Sequence, residues 1–159
     1  MKLYMKQKVF SFRDSFTVYD ENGEPKYTVK GEIISFGKKL HVFDRSGREI
    51  IFIAQRLLTF LPRYTVQING VAEFEIKKEF SFIKPYYTIA ENDIEIRGEF
   101  LSHEFEIIRA GGVIATLRKE WFTWGDSYAL EILSPAYELT ALAAVLVIDC
   151  VDAANTAAN

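Results

Sequence analysis

Apolar and polar residues alternate with a period of two over most of the chain upstream of Ser134, which is typical of strands with one buried face. Turn-forming segments interrupt this alternation, and each offers residues that tolerate positive φ or make Asx-type hydrogen bonds. These segments are Asp20–Gly23, Asp44–Gly47, Asn69–Gly70, Glu91–Asp93 and Ala110–Gly112. About twelve strands fit around them, from Lys6–Phe12 to Tyr128–Leu133, so the pattern predicts an antiparallel sandwich or barrel.

The residues after Ser134 follow a different pattern, because Leu139–Ile148 is apolar on every side of a helix apart from one threonine. Ser134 suits the N-cap and Pro135 the first helical position, so we predict a helix over residues 135–152 and a short tail over 153–159. The unbroken apolar run is about half of the roughly 20 residues that a bilayer span needs, and acidic residues follow it directly. We therefore expect a buried core helix and no transmembrane span.

A barrel of about twelve strands encloses more space than a barrel of eight, in which side chains alone fill the interior. An α-helix about 10 Å across fits that space, and alanines keep it slim where large side chains point inward. The alanines are Ala136, Ala141, Ala143 and Ala144, and the inward side chains include Tyr27, Phe74 and Phe105. The predicted fold is mainly β. It is a single domain over residues 1–159, in which a closed antiparallel barrel (residues 4–133) wraps around a central hydrophobic C-terminal helix.

A short pattern recurs near the end of successive hairpins: an apolar residue, usually a cation, a spacer and usually a glutamate. The instances are Val29–Glu32, Ile53–Arg56, Ile76–Glu79, Ile96–Glu99 and Leu117–Glu120. Since alternate residues of a strand share a face, the cation and the glutamate lie together on the side opposite the apolar residue. We interpret the pattern as an outer belt of cross-strand ion pairs rather than as a binding site.

Three connections between predicted strands are rich in large apolar residues: Leu57–Pro62, Phe80–Pro85 and Trp121–Asp126. Such groups are rarely left in water, so these connections either plug the ends of the barrel or form a contact surface. Plugging is the interpretation that the pattern favours. A contact with a partner or a membrane stays open for Trp121, Phe122 and Trp124, because indole rings suit an interface.

The net charge of −3 is too close to neutral for a general nucleic-acid binder. Its distribution is uneven: residues 1–80 hold fourteen Lys and Arg against ten Asp and Glu, and residues 81–159 hold five against twelve. We expect a closed fold to intermix the two halves, with a localised basic patch as the alternative.

The chain resembles the LURP-one-related family, within the tubby C-terminal-like group that also contains the phospholipid scramblases. The resemblance rests on Tyr4–Phe10, Val18–Gly23, Tyr27–Glu32 and Gly37–Asp44 in this order and spacing, together with the apolar C-terminal helix. It implies a closed twelve-stranded barrel around a central helix. For function it implies less: tubby domains bind phosphoinositide headgroups through basic residues, and scramblases are associated with calcium and lipid. The basic residues of the tubby site are not matched one for one to positions in this sequence, so that site is not carried over.

Catalytic and metal-binding patterns are not evident in the sequence. It contains no nucleophile elbow and no glycine-rich loop that leads into a helix, and its two histidines, His41 and His103, lie on different hairpins. The single Cys150 lies in the apolar helix, where it behaves as a small hydrophobe. We therefore predict no enzyme, no cofactor and no metal site. A lone cysteine and the absence of a signal pattern favour a cytoplasmic location.

The leading hypothesis is a domain that binds an anionic partner, such as a phospholipid headgroup or a phosphorylated ligand, on a basic rim of the barrel. The candidate ligand-binding residues lie near strand ends and are Lys38, Lys39, Arg63, Lys77, Lys78 and Lys84. The alternative is a protein-interaction or scaffold module that uses the Trp121–Trp124 loop. Nucleic acid is not an expected partner.

Overall fold

A computed structural model of the chain describes residues 1–6, 15–32, 35–102, 104–122 and 125–158. It contains twelve strands, three 3-10 turns and one α-helix. The strands are β1 Lys2–Lys6, β2 Phe16–Tyr19, β3 Pro25–Gly31, β4 Lys39–Phe43, β5 Glu49–Gln55, β6 Arg63–Ile68, β7 Ala72–Glu79, β8 Tyr86–Ile89, β9 Ile94–Glu99, β10 Glu104–Arg109, β11 Gly112–Phe122 and β12 Gly125–Ile132. The 3-10 turns are Ala90–Asn92, Phe100–Ser102 and Pro135–Tyr137, and the helix, α1, is Glu138–Ala157.

The twelve strands form one closed antiparallel barrel in which each strand pairs with its neighbours in sequence. The ring closes where β1 pairs with β12, with Lys2 opposite Glu131 and Lys6 opposite Ser127. The predicted fold class is thereby confirmed. The first strand differs from its predicted position: β1 ends where the predicted strand Lys6–Phe12 begins, and residues 7–14 lie outside the described residues.

The helix α1 occupies the centre of the barrel. All twelve residues from Thr140 to Val151 are buried, which satisfies the requirement that a helix with apolar residues on every side be enclosed. Its composition and length would suit a bilayer span, but 67% of its 18-residue apolar window is buried within the protein. The large inward side chains Tyr27, Phe74 and Phe105 belong to the same core as Ala141, Ala143 and Ala144, as predicted. Ala136, by contrast, is exposed in the 3-10 turn before the helix, so its predicted packing role is wrong.

The start and end of the helix differ in detail from the sequence prediction. The side chain of Ser134 makes no capping hydrogen bond, because a 3-10 turn precedes the helix and the Tyr137 N–H donates to the Ser134 carbonyl at 3.0 Å. At the other end the helix continues to Ala157, through residues for which the sequence predicts a tail. Ala153 and Ala154 are strong helix formers, so the extension agrees with their propensity.

Charged side chains on the outer wall form cross-strand pairs, as the recurring pattern predicts. Lys39 lies 3.5 Å from Glu32, and Arg63 on β6 lies 3.7 Å from Glu75 on β7. Arg97 instead pairs within β9, where it lies 2.7 Å from Glu95. His41 stands between two carboxylates, with Nε2 2.9 Å from Glu32 and Nδ1 2.7 Å from Glu49. These pairs cover the wall and leave the two ends of the barrel as the places where connections differ.

The antiparallel order sends alternate connections to opposite ends of the barrel. One end, which we call the turn end, carries all five predicted turns, with positive φ at Gly23, Gly47, Asn69, Asp93 and Ala110. The helix begins there, after β12 and the 3-10 turn Pro135–Tyr137. The opposite end, which we call the loop end, carries the other connections, among them those from β3 to β4, β5 to β6 and β7 to β8, which have six or seven residues each. With a rise of about 1.5 Å per residue, α1 spans about 30 Å and brings its C-terminal half to the loop end.

Candidate ligand-binding rim

Three connections that are adjacent around the barrel make up one side of the loop end. They join β3 to β4, β5 to β6 and β7 to β8, and we call residues 35–39, 55–63 and 77–85 the loop face. These segments hold seven Lys and Arg and a single carboxylate, Glu79. Carboxylates beside these segments pair with five of the seven cations: Glu32 with Lys39, Glu75 with Arg56, Arg63 and Lys77, and Glu99 with Lys84. The charges are therefore partly intermixed, with an excess of cations on this side of the loop end.

All six candidate ligand-binding residues lie on the loop face. Two are at inward positions of their strands, three are at outward positions, and one lies in a loop. Lys38 and Lys78 share the register of the inward residues of their strands, at the mouth of the barrel. Lys39, Arg63 and Lys77 alternate with buried residues and lie on the outer wall. Lys84 lies in the connection before β8, where its ammonium pairs with Glu99.

Three cations lie within 4.0 Å of one carboxylate, Glu75, at the edge of the loop face. Arg56 lies 3.3 Å from it, Arg63 lies 3.7 Å from it and Lys77 lies 4.0 Å from it. Arg56 is absent from the residues that the sequence singles out as a ligand site. The pairing depends on the register in which Arg63 lies opposite Lys77, and residue types alone do not reveal that register. Three cations around one carboxylate leave a local excess of positive charge.

The mouth beside these cations is lined by buried phenols and by the end of α1. Burial raises the pKa of Tyr64 above its usual value, and the nearby Cys150 raises it further. Burial also raises the pKa of Tyr87, with Asp152 as the next cause. The pKa of the Cys150 thiol is raised by burial and by Asp149 and is lowered by Lys38, so this lysine acts on the C-terminal half of the helix. The phenols and the thiol thus stay protonated at neutral pH.

The apolar connections of the loop face do not plug the barrel. Phe36, Leu58, Phe60, Phe82 and Ile83 are 92%, 106%, 98%, 94% and 92% exposed. The favoured prediction of a plug is therefore wrong for Leu57–Pro62 and Phe80–Pro85. Phe100 performs that role instead: it is buried at the loop end and its ring lies 5.0 Å from that of Tyr87 and 5.5 Å from that of Phe105.

The residues of the alternative partner site fall at the limit of what the structure describes. Trp121 and Phe122 are the last two residues of β11, which places their backbone at the loop end. Trp124 lies outside the described residues, so a partner contact through Trp121–Trp124 stays a prediction. Among the residues that the structure does describe, no three His, Cys, Asp or Glu side chains come together as potential metal ligands.

Comparison with known proteins gives the family. Residues 1–149 match the LURP-one-related family. The chain belongs to that family. It is 36% identical over 151 residues to the uncharacterized protein YxjI of Bacillus subtilis (strain 168), a match that covers 95% of this chain and 93% of the relative.

The structure of this LURP-one-related protein is similar to the X-ray structure of a protein from Arabidopsis thaliana. The TM-score is 0.64 at 16% sequence identity, and the match covers 93% of this chain and 89% of the other. At that identity the likeness concerns the fold alone. The bacterial relative is described as uncharacterized, so the comparisons give this LURP-one-related protein a family and an architecture but no biochemical role.

Proposed function

We propose that the protein is a non-enzymatic cytoplasmic domain that binds an anionic phospholipid headgroup on the loop face. The observation that carries this proposal is that three adjacent connections hold seven Lys and Arg. Four carboxylates border or belong to these connections, namely Glu32, Glu75, Glu79 and Glu99, so the cations stay in excess. Lysine and arginine near a membrane surface each contribute about 1 kcal/mol of attraction to anionic lipid. Several such residues on one face give micromolar binding without a deep cleft.

The geometry of the cations suits an extended anionic surface. Lys38 and Lys78 lie at the mouth, whereas Arg56 and Arg63 lie on the wall beside Glu75, so the positive groups are spread over the rim. Their pairing with Glu75 is loose, at 3.3 to 4.0 Å, and partly exposed to solvent. Exposed ion pairs of this kind contribute little to stability, so the cations can exchange Glu75 for a phosphate at low cost.

Co-flotation with vesicles tests the proposal. Vesicles of phosphatidylcholine with phosphatidylserine should carry the protein upward at low salt, and vesicles of phosphatidylcholine alone should not. The triple variant Arg56→Gln, Arg63→Gln, Lys84→Gln should bind the anionic vesicles roughly a hundredfold more weakly, at about 1 kcal/mol per charge.

A matched control separates the loop face from net charge. The variant Arg45→Gln, Arg48→Gln, Arg109→Gln removes the same charge from exposed positions at the turn end, so it should bind nearly as well as the wild type. Equal losses in both triple variants, or no flotation of the wild type, would overturn the proposal.

A further inference from the structure

The tips of the loop face are apolar side chains that protrude into solvent. Phe36 lies in the first connection, Leu58 and Phe60 lie in the second, and Phe82 and Ile83 lie in the third. Each is more than nine-tenths exposed, so these side chains add nothing to the core. Burial of a single Phe or Leu lowers the free energy appreciably, and soluble domains rarely leave several such groups together in water.

We infer that these five side chains enter the interfacial layer of a phospholipid bilayer, with the loop face turned toward the membrane. This inference rests on the proposed function, because the cations of the same face hold the anionic headgroups while the tips insert. It adds the occupant: an intact anionic bilayer rather than a soluble phosphate compound.

The order of charged and apolar residues along each loop supports a bilayer. Arg56 and Arg63 form the base of the second loop, where the Arg56 N–H donates to the Arg63 carbonyl at 2.8 Å. The residues between them, 57–62, carry no charge. In the third loop the residues 80–83 are likewise uncharged, with Lys78 and Glu79 before them and Lys84 after them. Cations behind an apolar tip match the depth profile of a membrane, where phosphates lie outside the acyl chains.

The three loops are joined to one another at their bases. The Lys38 N–H donates to Gln55 Oε1 at 3.0 Å and connects the first loop to the second. The Lys78 N–H donates to the Pro62 carbonyl at 2.9 Å and connects the second to the third. In the third loop Ser81 Oγ accepts from the Ile83 N–H at 3.2 Å. Loops held in this way lose little conformational entropy on binding.

The backbone at one tip is held in an unfavourable conformation. Leu58 has a φ of 60°, in the left-handed region that disfavours side chains other than glycine. Its side chain is fully exposed, so core packing does not explain why leucine stands there. Contact of the Leu58 side chain with an apolar phase outside the protein would explain why leucine occupies this strained and exposed position.

A tip variant tests the insertion with all cations retained. The triple substitution Leu58→Ser, Phe60→Ser, Phe82→Ser should weaken binding to phosphatidylcholine and phosphatidylserine vesicles by at least about tenfold. It should also abolish the part of wild-type binding that persists at high salt, since salt screens the cations and leaves apolar insertion unaffected. The control Val71→Ser removes an equally exposed apolar side chain at the turn end and should change neither quantity.

An environment-sensitive label measures the depth directly. Phe60→Cys carrying a nitrobenzoxadiazole fluorophore should brighten on anionic vesicles and be quenched by spin labels on the acyl chains, and labelled Val71→Cys should do neither. The native Cys150 is buried and its thiol pKa is raised, so the label reacts with the introduced cysteine.

The outcomes separate the two proposals. If the wild type fails to bind anionic vesicles, the proposed function fails as well. If the tip variant binds as well as the wild type and the acyl-chain spin labels do not quench the label on Phe60→Cys, headgroup binding stands and insertion is overturned. Full displacement of the protein from vesicles by soluble inorganic pyrophosphate at low salt would also contradict insertion.

Discussion

The two ends of the barrel join neighbouring strands in opposite ways. At the turn end the connections are short, and carboxylates accept hydrogen bonds from the backbone of their own turn. Asp20 Oδ1, for example, accepts from the N–H groups of Asn22 at 2.9 Å and Glu24 at 3.0 Å. At the loop face the connections are longer, and their most apolar residues point away from the protein. The charge is opposite too, since the five turns hold six carboxylates and three arginines within residues 20–24, 44–48, 69–71, 90–93 and 109–112.

The contrast separates stability from binding. Backbone hydrogen bonds, first of all from Glu24, hold the pKa of Asp20 below its usual value, and a hydrogen bond from Ser46 does the same for Asp44. Those carboxylates are engaged in shaping their own turns. The loop face has apolar tips that lie outside the core, as the proposed membrane contact requires. One end of the barrel thus maintains the fold and the other presents a surface.

The largest expected effect comes from the helix that both ends share. Leu146→Asp would place a charge at the centre of the barrel without a partner and should cost more than about 4 kcal/mol, enough to prevent folding. Thermal unfolding and near-UV circular dichroism are the measurements. Val71→Asp, at an exposed position of the turn end, should melt like the wild type. A cooperative melt with a native near-UV spectrum in Leu146→Asp would contradict the central position of α1.

A medium effect should distinguish the two ends. At the turn end Glu138 accepts from the Tyr27 hydroxyl at 2.7 Å and lies 2.6 Å from the Lys26 ammonium. Glu138→Ala leaves the buried Tyr27 hydroxyl without that acceptor, so the free energy of unfolding should fall by about 1 to 3 kcal/mol in urea titration. Phe60→Ser at the loop face should change it by less than about 0.5 kcal/mol. A larger loss of stability in Phe60→Ser than in Glu138→Ala would contradict the contrast between the ends.

A smaller effect of opposite sign is expected at the strained loop tip. Leu58→Gly relieves the positive φ, and the free energy of unfolding should rise by up to about 1 kcal/mol. Binding to anionic vesicles should weaken in the same variant, because an apolar tip is lost. Chemical denaturation and vesicle flotation measure the two quantities. A loss of stability would mean that Leu58 serves the fold, and the distinction between the two ends would then fail at this residue.

The smallest effect concerns the wall between the ends. Burial alone would lower the pKa of His41, but hydrogen bonds to Glu32 and Glu49 raise it above its usual value. The stability that protonated His41 provides is therefore fully present below the unfolded pKa of about 6.5 and is lost as the pH rises through the higher folded pKa. Across that window the wild type should lose less than about 1 kcal/mol relative to His41→Gln, because the site is partly exposed. If the stability of the wild type and of His41→Gln changed in parallel with pH, this assignment would be contradicted. A change in vesicle binding in His41→Gln would show that the wall and the loop face are not independent.

The sequence predicts the barrel well because the relevant signals are local. Period-two alternation, the turn residues and an all-apolar helix each act within a few positions, and together they leave a closed barrel as the consistent solution. The exposure of Leu58 and Phe82 cannot be predicted from such local signals. Apolar composition favours burial, and only the closed ring reveals that Phe100 and Tyr87 already fill the mouth. The cluster on Glu75 cannot be predicted from the sequence either. Arg56 follows β5 and Glu75 lies on β7, so their contact depends on the register of both strands with β6, which the sequence does not encode locally.

The pairing of β1 with β12 has a consequence for biosynthesis. The barrel closes between the first strand and the last, and the helix that fills its centre follows the last strand in the chain. During translation, therefore, the inward faces of eleven strands are made before either their closing partner or their core exists. Such long-range pairing is slow, and it leaves apolar strands open to misassociation in the meantime. Folding should consequently be a late event that follows synthesis of the helix, and truncation within the helix should yield an aggregating chain rather than a smaller barrel.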